Sequence, residues 1–144
     1  MKWVTRKNAK VDRIACPWLI TRFVDPGAEF LYVSAASVME TAEHENAIPY
    51  DVEEAELGHV DGRCSFESIL ARYNLTDPAL NLLGRIVHGA DIAGDRDLVP
   101  EAAGLYAMAQ GFALVHGDND HEKIRLETPM YDALYAWCQE RTEI

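Results

Sequence analysis

The chain has 144 residues, with 24 acidic against 13 basic side chains and a net charge of −11. That length suits one domain whose core needs no covalent staple, and the charge weighs against nucleic acid as a partner of this chain alone, because such binding rests on Lys and Arg neutralising phosphates. With no run of ~18 apolar residues, no signal-peptide core in Met1–Arg6 and three widely spaced cysteines outside any CxxC pair, the expectation is a cytoplasmic protein with no membrane segment, disulfide framework or zinc knuckle.

In chain order, Trp3–Thr5 reads as a short strand, followed by a polar turn over Lys7–Lys10. Proline suits the first helical position, since it lacks an N–H and disfavours the α region in the residue before it. Pro17 therefore predicts a helix over Pro17–Phe23, with Cys16 at its cap and Asp12 and Arg13 on the entering turn. Trp18 and Arg22, four residues apart, share one side of that helix. A thiol at a helix N-terminus beside Arg13 tends toward a lowered pKa, which makes Cys16 the candidate nucleophile. The competing reading is an inert thiol buried in a core helix.

Asp25-Pro26-Gly27 is a turn signal, and Ala28–Val33 is rich in strand formers. Ser34 caps an expected helix over Ala35–Glu43, and Ile48-Pro49-Tyr50 reads as an edge strand because of its proline. Asp51–Arg63 is a loop in which Gly58 and Gly62 bracket His59 and Asp61. Ser65 caps a helix to Tyr73, and Asp77-Pro78 opens a third to Ala90 with Leu80, Leu83, Val87 and Ala90 inward. Pro100 opens a longer helix, with Leu105, Met108, Phe112 and Val115 at helical spacing, ending at His116-Gly117. After the acidic link Asp118–Asp120 come a weak helix and a final helix, Pro129–Glu140, whose Tyr131, Leu134, Tyr135 and Cys138 share a face. The sum is a single α+β domain over residues 1–144, mostly helical, with a small sheet near the N-terminal half.

The best metal ligands are His59, on a glycine-flanked loop that can aim an imidazole, Glu67 in the first turn after Ser65, and Asp91 at the end of the third helix. One histidine with two carboxylates is a mixed N/O set that suits Mn²⁺, Fe²⁺ or Zn²⁺. No HExxH or paired CxxC backs this set, and a helix-capping Glu67 beside a solvated His59 competes with it. His88, three residues before Asp91, lies on a neighbouring part of the same helical surface. His121, beside Asp118 and Asp120, offers a ligand or proton carrier. Tyr131 offers a phenol to a pocket, although its stripe position favours packing. Asp91, Asp95, Asp97 and Glu101 fail the EF-hand pattern, because the glycine precedes most of the acids.

Several blocks resemble the C-terminal domain of the chromate-resistance protein B family, a domain also found alone. They are Val11–Phe23, Asp25-Pro26, Ala28–Val33, Gly58-His59, Cys64–Glu67, Asp77–Leu80, Ile86–Asp91, Pro100–Leu105 and Tyr131–Cys138. His88 departs from that pattern, which has arginine there. The resemblance implies a chromate-resistance, stress-response role and supports the metal set His59, Glu67 and Asp91, with Asp12, Arg13, Trp18 and Arg22 lining the adjoining pocket. A metal-dependent enzyme acting on a small molecule is the leading expectation. The runner-up is an oxyanion- or metal-responsive sensor without catalysis. A free oxyanion would be repelled at long range by the net charge, so only a local arginine cluster could hold it. A homodimer is the protein partner the sequence leaves open.

Overall fold

The computed structural model describes residues 1–53 and 55–143. Among them the order is β1 (Lys2–Arg6), α1 (Asp12–Phe23), β2 (Glu29–Val33), a 3₁₀ turn, α2 (Val38–Glu45), β3 (Ile48–Pro49), α3 (Ser65–Arg72), α4 (Pro78–Asp91), a second 3₁₀ turn, α5 (Glu101–His116) and α6 (Asp120–Thr142). The α+β expectation stands. The sheet is wholly parallel in the order β2-β1-β3, with Trp3 opposite Phe30 and Ile48 and Val4 opposite Leu31 and Pro49. Pro49 sits on an edge strand, where its missing donor costs no ladder bond.

Alternation along β1 divides the interior. Trp3 joins the main core formed with α1, α3, α4, α5 and α6, while Val4 joins Val38, Ala47, Val52 and Ala55 beneath α2. The sheet thus lies between one helix and a larger helical layer. On that layer Gly89 brings α4 close to α5, since a Cβ there would stand 2.7 Å from the Ala102 methyl.

Five local expectations are corrected. Helix α1 starts at Asp12, five residues before Pro17, so Cys16 lies inside the helix rather than at its cap. The carbonyl that Pro17 cannot serve belongs to Arg13, and it accepts the Tyr32 hydroxyl at 2.7 Å. That cross-link from β2 supplies the donor which proline's local cost omits.

Ser34 caps nothing. Its hydroxyl bonds Ser37, and a 3₁₀ turn precedes α2. Cys64, not Ser65, caps α3: its sulfur takes the Glu67 amide, while Glu67 accepts the Cys64 amide, a capping box with sulfur in the hydroxyl's place.

The weak helix and the final helix are one, α6, running through Pro129. Its start is tied to the β1–α1 loop, because Asp120 accepts the amides of Asn8 and Ala9. Lys123 donates to the carbonyls of Ala9 and Gly117.

On α5 the inward residues are Ala102, Leu105 and Ala109. Met108 is 51% and Val115 76% exposed, so of the expected stripe only Leu105 is buried. The stretch 102–115 carries no charge, and an all-round apolar helix gives periodicity nothing to choose between.

Candidate metal centre

Arg6 ends β1, and Asp51 follows β3 by two residues, so both stand at the carboxyl edge of the parallel sheet. That edge is where open α/β sheets place ligands, because strand ends and helix starts converge there. Helix α1 begins there with Asp12 and Arg13, and α4 arrives with its last residue, Asp91.

The 51–63 loop brings His59 over this edge. Gly58 permits the path, because any side chain at 58 would collide with the Val52 carbonyl. The Gly58 carbonyl accepts the Ser68 hydroxyl at 2.7 Å, which pins the loop to α3.

Three carboxylates converge on one imidazole nitrogen. His59 Nε2 lies 3.1 Å from Asp91 Oδ2, 3.2 Å from Asp51 Oδ1 and 3.5 Å from Asp12 Oδ2. Asp12 is 1% exposed and held from behind, its oxygens accepting the Ser65 and Phe66 amides at 2.6 and 3.0 Å. Those amides form the positive end of α3, which offsets part of the cost of burying a carboxylate. Asp51 accepts the Ser65 hydroxyl at 2.7 Å, and its other oxygen is 3.7 Å from both Arg6 and Arg13.

The electrostatics follow from this crowding. Hydrogen bonds to Asp12 and Asp51 push His59 up to about 10. Burial, with the charges of Asp12 and Asp51, pushes Asp91 up to about 7. Burial also raises Asp12. The centre therefore favours positive charge, and the His59 imidazolium supplies it in the metal-free chain.

A cation of higher charge fits the same place, since ligand atoms of Asp12, His59 and Asp91 lie within 4.8 Å of one another. A cavity of about 270 Å³ opens beside them, lined by Arg6, Lys10 and Arg13 together with the acids. Arrayed this way, the carboxylates can hold a cation while the arginines face an anion.

Of the residues singled out from the sequence, His59, Asp91, Asp12 and Arg13 meet here. Glu67 does not. Its Oε1 is 2.5 Å from His88 Nδ1, and His88 in turn reaches Asp95 through Nε2. Asp12 thus stands where Glu67 was expected.

Cys16 donates its thiol proton to Asp12 at 3.5 Å and is wholly buried. Burial drives its pKa well up, not down, which corrects the expected reactive thiol. Trp18 and Arg22 lie elsewhere, both bonded to Asp132 at 2.8 and 2.6 Å and thereby joining α1 to α6. His121 packs edge-on against the Tyr32 ring. Tyr131 is fully buried against Trp18, and its hydroxyl has no partner among the described residues. Burial raises that phenol well above its usual range.

Asp51 and Arg6 were missed. The available signal was positional: both sit at the carboxyl ends of neighbouring parallel strands, a placement that becomes visible only once Trp3–Thr5 and Ile48–Tyr50 are paired.

The family described as "ChrB, C-terminal domain" matches residues 3–138. Protein ChrB of Cupriavidus metallidurans is 38% identical over 111 residues, which cover 76% of this chain and 32% of that protein. The chain thus spans about a third of the length of the curated relative it matches. No solved structure matches.

Proposed function

The chain belongs to the family of ChrB C-terminal domains, and from that premise we propose that it is a divalent-metal-binding module of chromate resistance. His59, Asp91 and Asp12 hold the ion, with Asp51 beside them, and a small oxyanion docks against Arg6 and Arg13. The single observation behind this reading is the meeting of three carboxylates at 3.1–3.5 Å from one imidazole nitrogen. Structural ion pairs seldom crowd three acids onto one histidine, because each added carboxylate raises the cost of the others.

One nitrogen and several oxygens favour Mn²⁺, Fe²⁺ or Zn²⁺ over softer ions. Such an ion supplies Lewis-acid polarisation of a bound oxygen. The chain's own part is to orient the bound molecule with Arg6 and Arg13 and to keep Asp12 dry and fixed against the α3 amides. The arginines beside the acids equally support a sensor, in which oxyanion and metal bind without turnover.

Elemental analysis of chain purified without chelator tests the site. About one equivalent of Mn or Fe per chain is expected, and His59→Ala and Asp91→Asn each lose it while keeping the helical circular-dichroism spectrum. Full occupancy in both variants would sink the reading. Thermal shift with chromate, sulfate and phosphate tests the anion half, and no response to any of them in metal-loaded chain removes it.

A further inference from the structure

The residues displaced from the first centre form a cluster of their own. Cys64 caps α3 and is 0% exposed, Glu67 lies one turn on, and His88 reaches in from α4 at 8% exposure. Ligand atoms of the three lie within 4.8 Å of one another. We propose that Cys64 Sγ, Glu67 and His88 Nδ1 form a second cation site, chemically distinct from the first and selective for a borderline ion such as Zn²⁺ or Co²⁺.

Two features carry this beyond a buried ion pair. The first is the donor set. Sulfur, nitrogen and one carboxylate oxygen suit Zn²⁺ and Co²⁺ and exclude Mg²⁺ and Ca²⁺, whereas the first centre offers no thiol among its ligands.

The second is the orientation of the imidazole. Asp95 lies 2.6 Å from His88 Nε2, on the side away from Glu67. A carboxylate on the far nitrogen of a ligating histidine is a recurring device in metal sites, where it fixes the tautomer and aims the near nitrogen at the ion. Here it leaves Nδ1 directed at Glu67.

Burial and the charges of Asp12, Glu67 and Asp91 all disfavour a bare thiolate at Cys64. The same negative surroundings favour an incoming cation. On binding, the Cys64 thiol gives up its proton to solvent and its sulfur bonds the ion. His88 likewise releases its Nδ1 proton while keeping the one shared with Asp95.

Titration of the full chain with Co²⁺ tests this, because only thiolate ligation produces the near-ultraviolet sulfur-to-Co²⁺ charge-transfer band. The band is expected in the native chain and in His59→Ala, and Zn²⁺ should abolish it. Cys64→Ser should lack it, with the fold kept because serine is itself a good helix cap. His88→Gln should also lack it, and Asp95→Asn should weaken Co²⁺ affinity by roughly 10–100-fold. A native chain without the band, or a band that survives in Cys64→Ser, would overturn the second site. Loss of Mn²⁺ occupancy in His59→Ala reports on the first centre separately, so the two proposals fail independently.

Discussion

The Asp12 carboxylate caps a helix that begins 53 residues later, its Oδ2 taking the Ser65 amide at 2.6 Å while lying 3.5 Å from His59 Nε2. One side chain therefore both holds α3 in place and faces the candidate metal. Its two duties predict a compound phenotype. Asp12→Ala should lower unfolding stability by about 3 kcal/mol in urea melts, because two buried amides lose their acceptor. A loss below about 1 kcal/mol would mean that water or another group caps α3 instead.

Ligand removal should separate binding from folding at the solvent-facing residue. His59 is 47% exposed at its side chain, so His59→Ala leaves no cavity. In the native chain Mn²⁺ at a hundredfold excess over its dissociation constant should add about 2.7 kcal/mol of stability. In His59→Ala the same addition should leave the melting temperature unmoved. An equal shift in both chains would remove His59 from the centre.

Gly58 predicts an effect from a residue that is no ligand. Gly58→Ala drives a methyl group into the Val52 carbonyl, so the loop must shift and carry His59 with it. Metal affinity should fall about tenfold or more, as it does when a supporting group of a site is disturbed. Isothermal titration of the folded variant measures it, and unchanged affinity would show that the loop absorbs the methyl without moving His59.

At Pro17 a double-mutant cycle isolates one hydrogen bond. Tyr32→Phe should cost about 1–2 kcal/mol, since the Arg13 carbonyl is left without a donor. In a Pro17→Ala background the helix supplies its own N–H and the same change should cost a few tenths of a kcal/mol. Equal costs in both backgrounds would mean that Tyr32 contributes through packing alone.

Glu127 governs a pH dependence. It is fully buried, neither carboxylate oxygen has a partner among the described residues, and burial pushes its pKa up to about 8. The native chain therefore holds a proton that the unfolded chain has released above about 4.5. Native protons exceed unfolded ones through that window, so stability falls as pH rises from about 4.5 to about 8. Glu127→Gln should remove this fall, stabilising the chain by on the order of 2 kcal/mol at pH 8 and by nearly nothing at pH 4.5. A constant difference across that range would contradict the assignment.

Much of the architecture was legible from local chemistry. Asp77-Pro78 announced α4, and Asp77 does accept the Ala79 amide. The β-forming runs marked the strands, and the proline at 49 marked an edge. These signals act within a few residues, and strong ones survive any tertiary context. The ordered blocks from Val11 to Cys138 carried the family, and they are spread along the range that matches.

The site was only half legible. His59 and Asp91 stood out as residue types in telling places, yet nothing local separates Asp12 from Glu67 as their companion. That choice belongs to the packing of α1 against α3, which delivers Asp12 to the amides of Ser65 and Phe66 and turns Glu67 toward His88. Pro17 and Pro129 misled for a related reason. A proline's penalty is local and visible in the sequence, whereas its relief at Pro17 is a hydroxyl from β2 that only the folded chain brings within 2.7 Å. Composition and short-range pattern thus determined which elements form and which family they make up; long-range contact decided where helices begin, which face of α5 is covered, and which acids share a histidine.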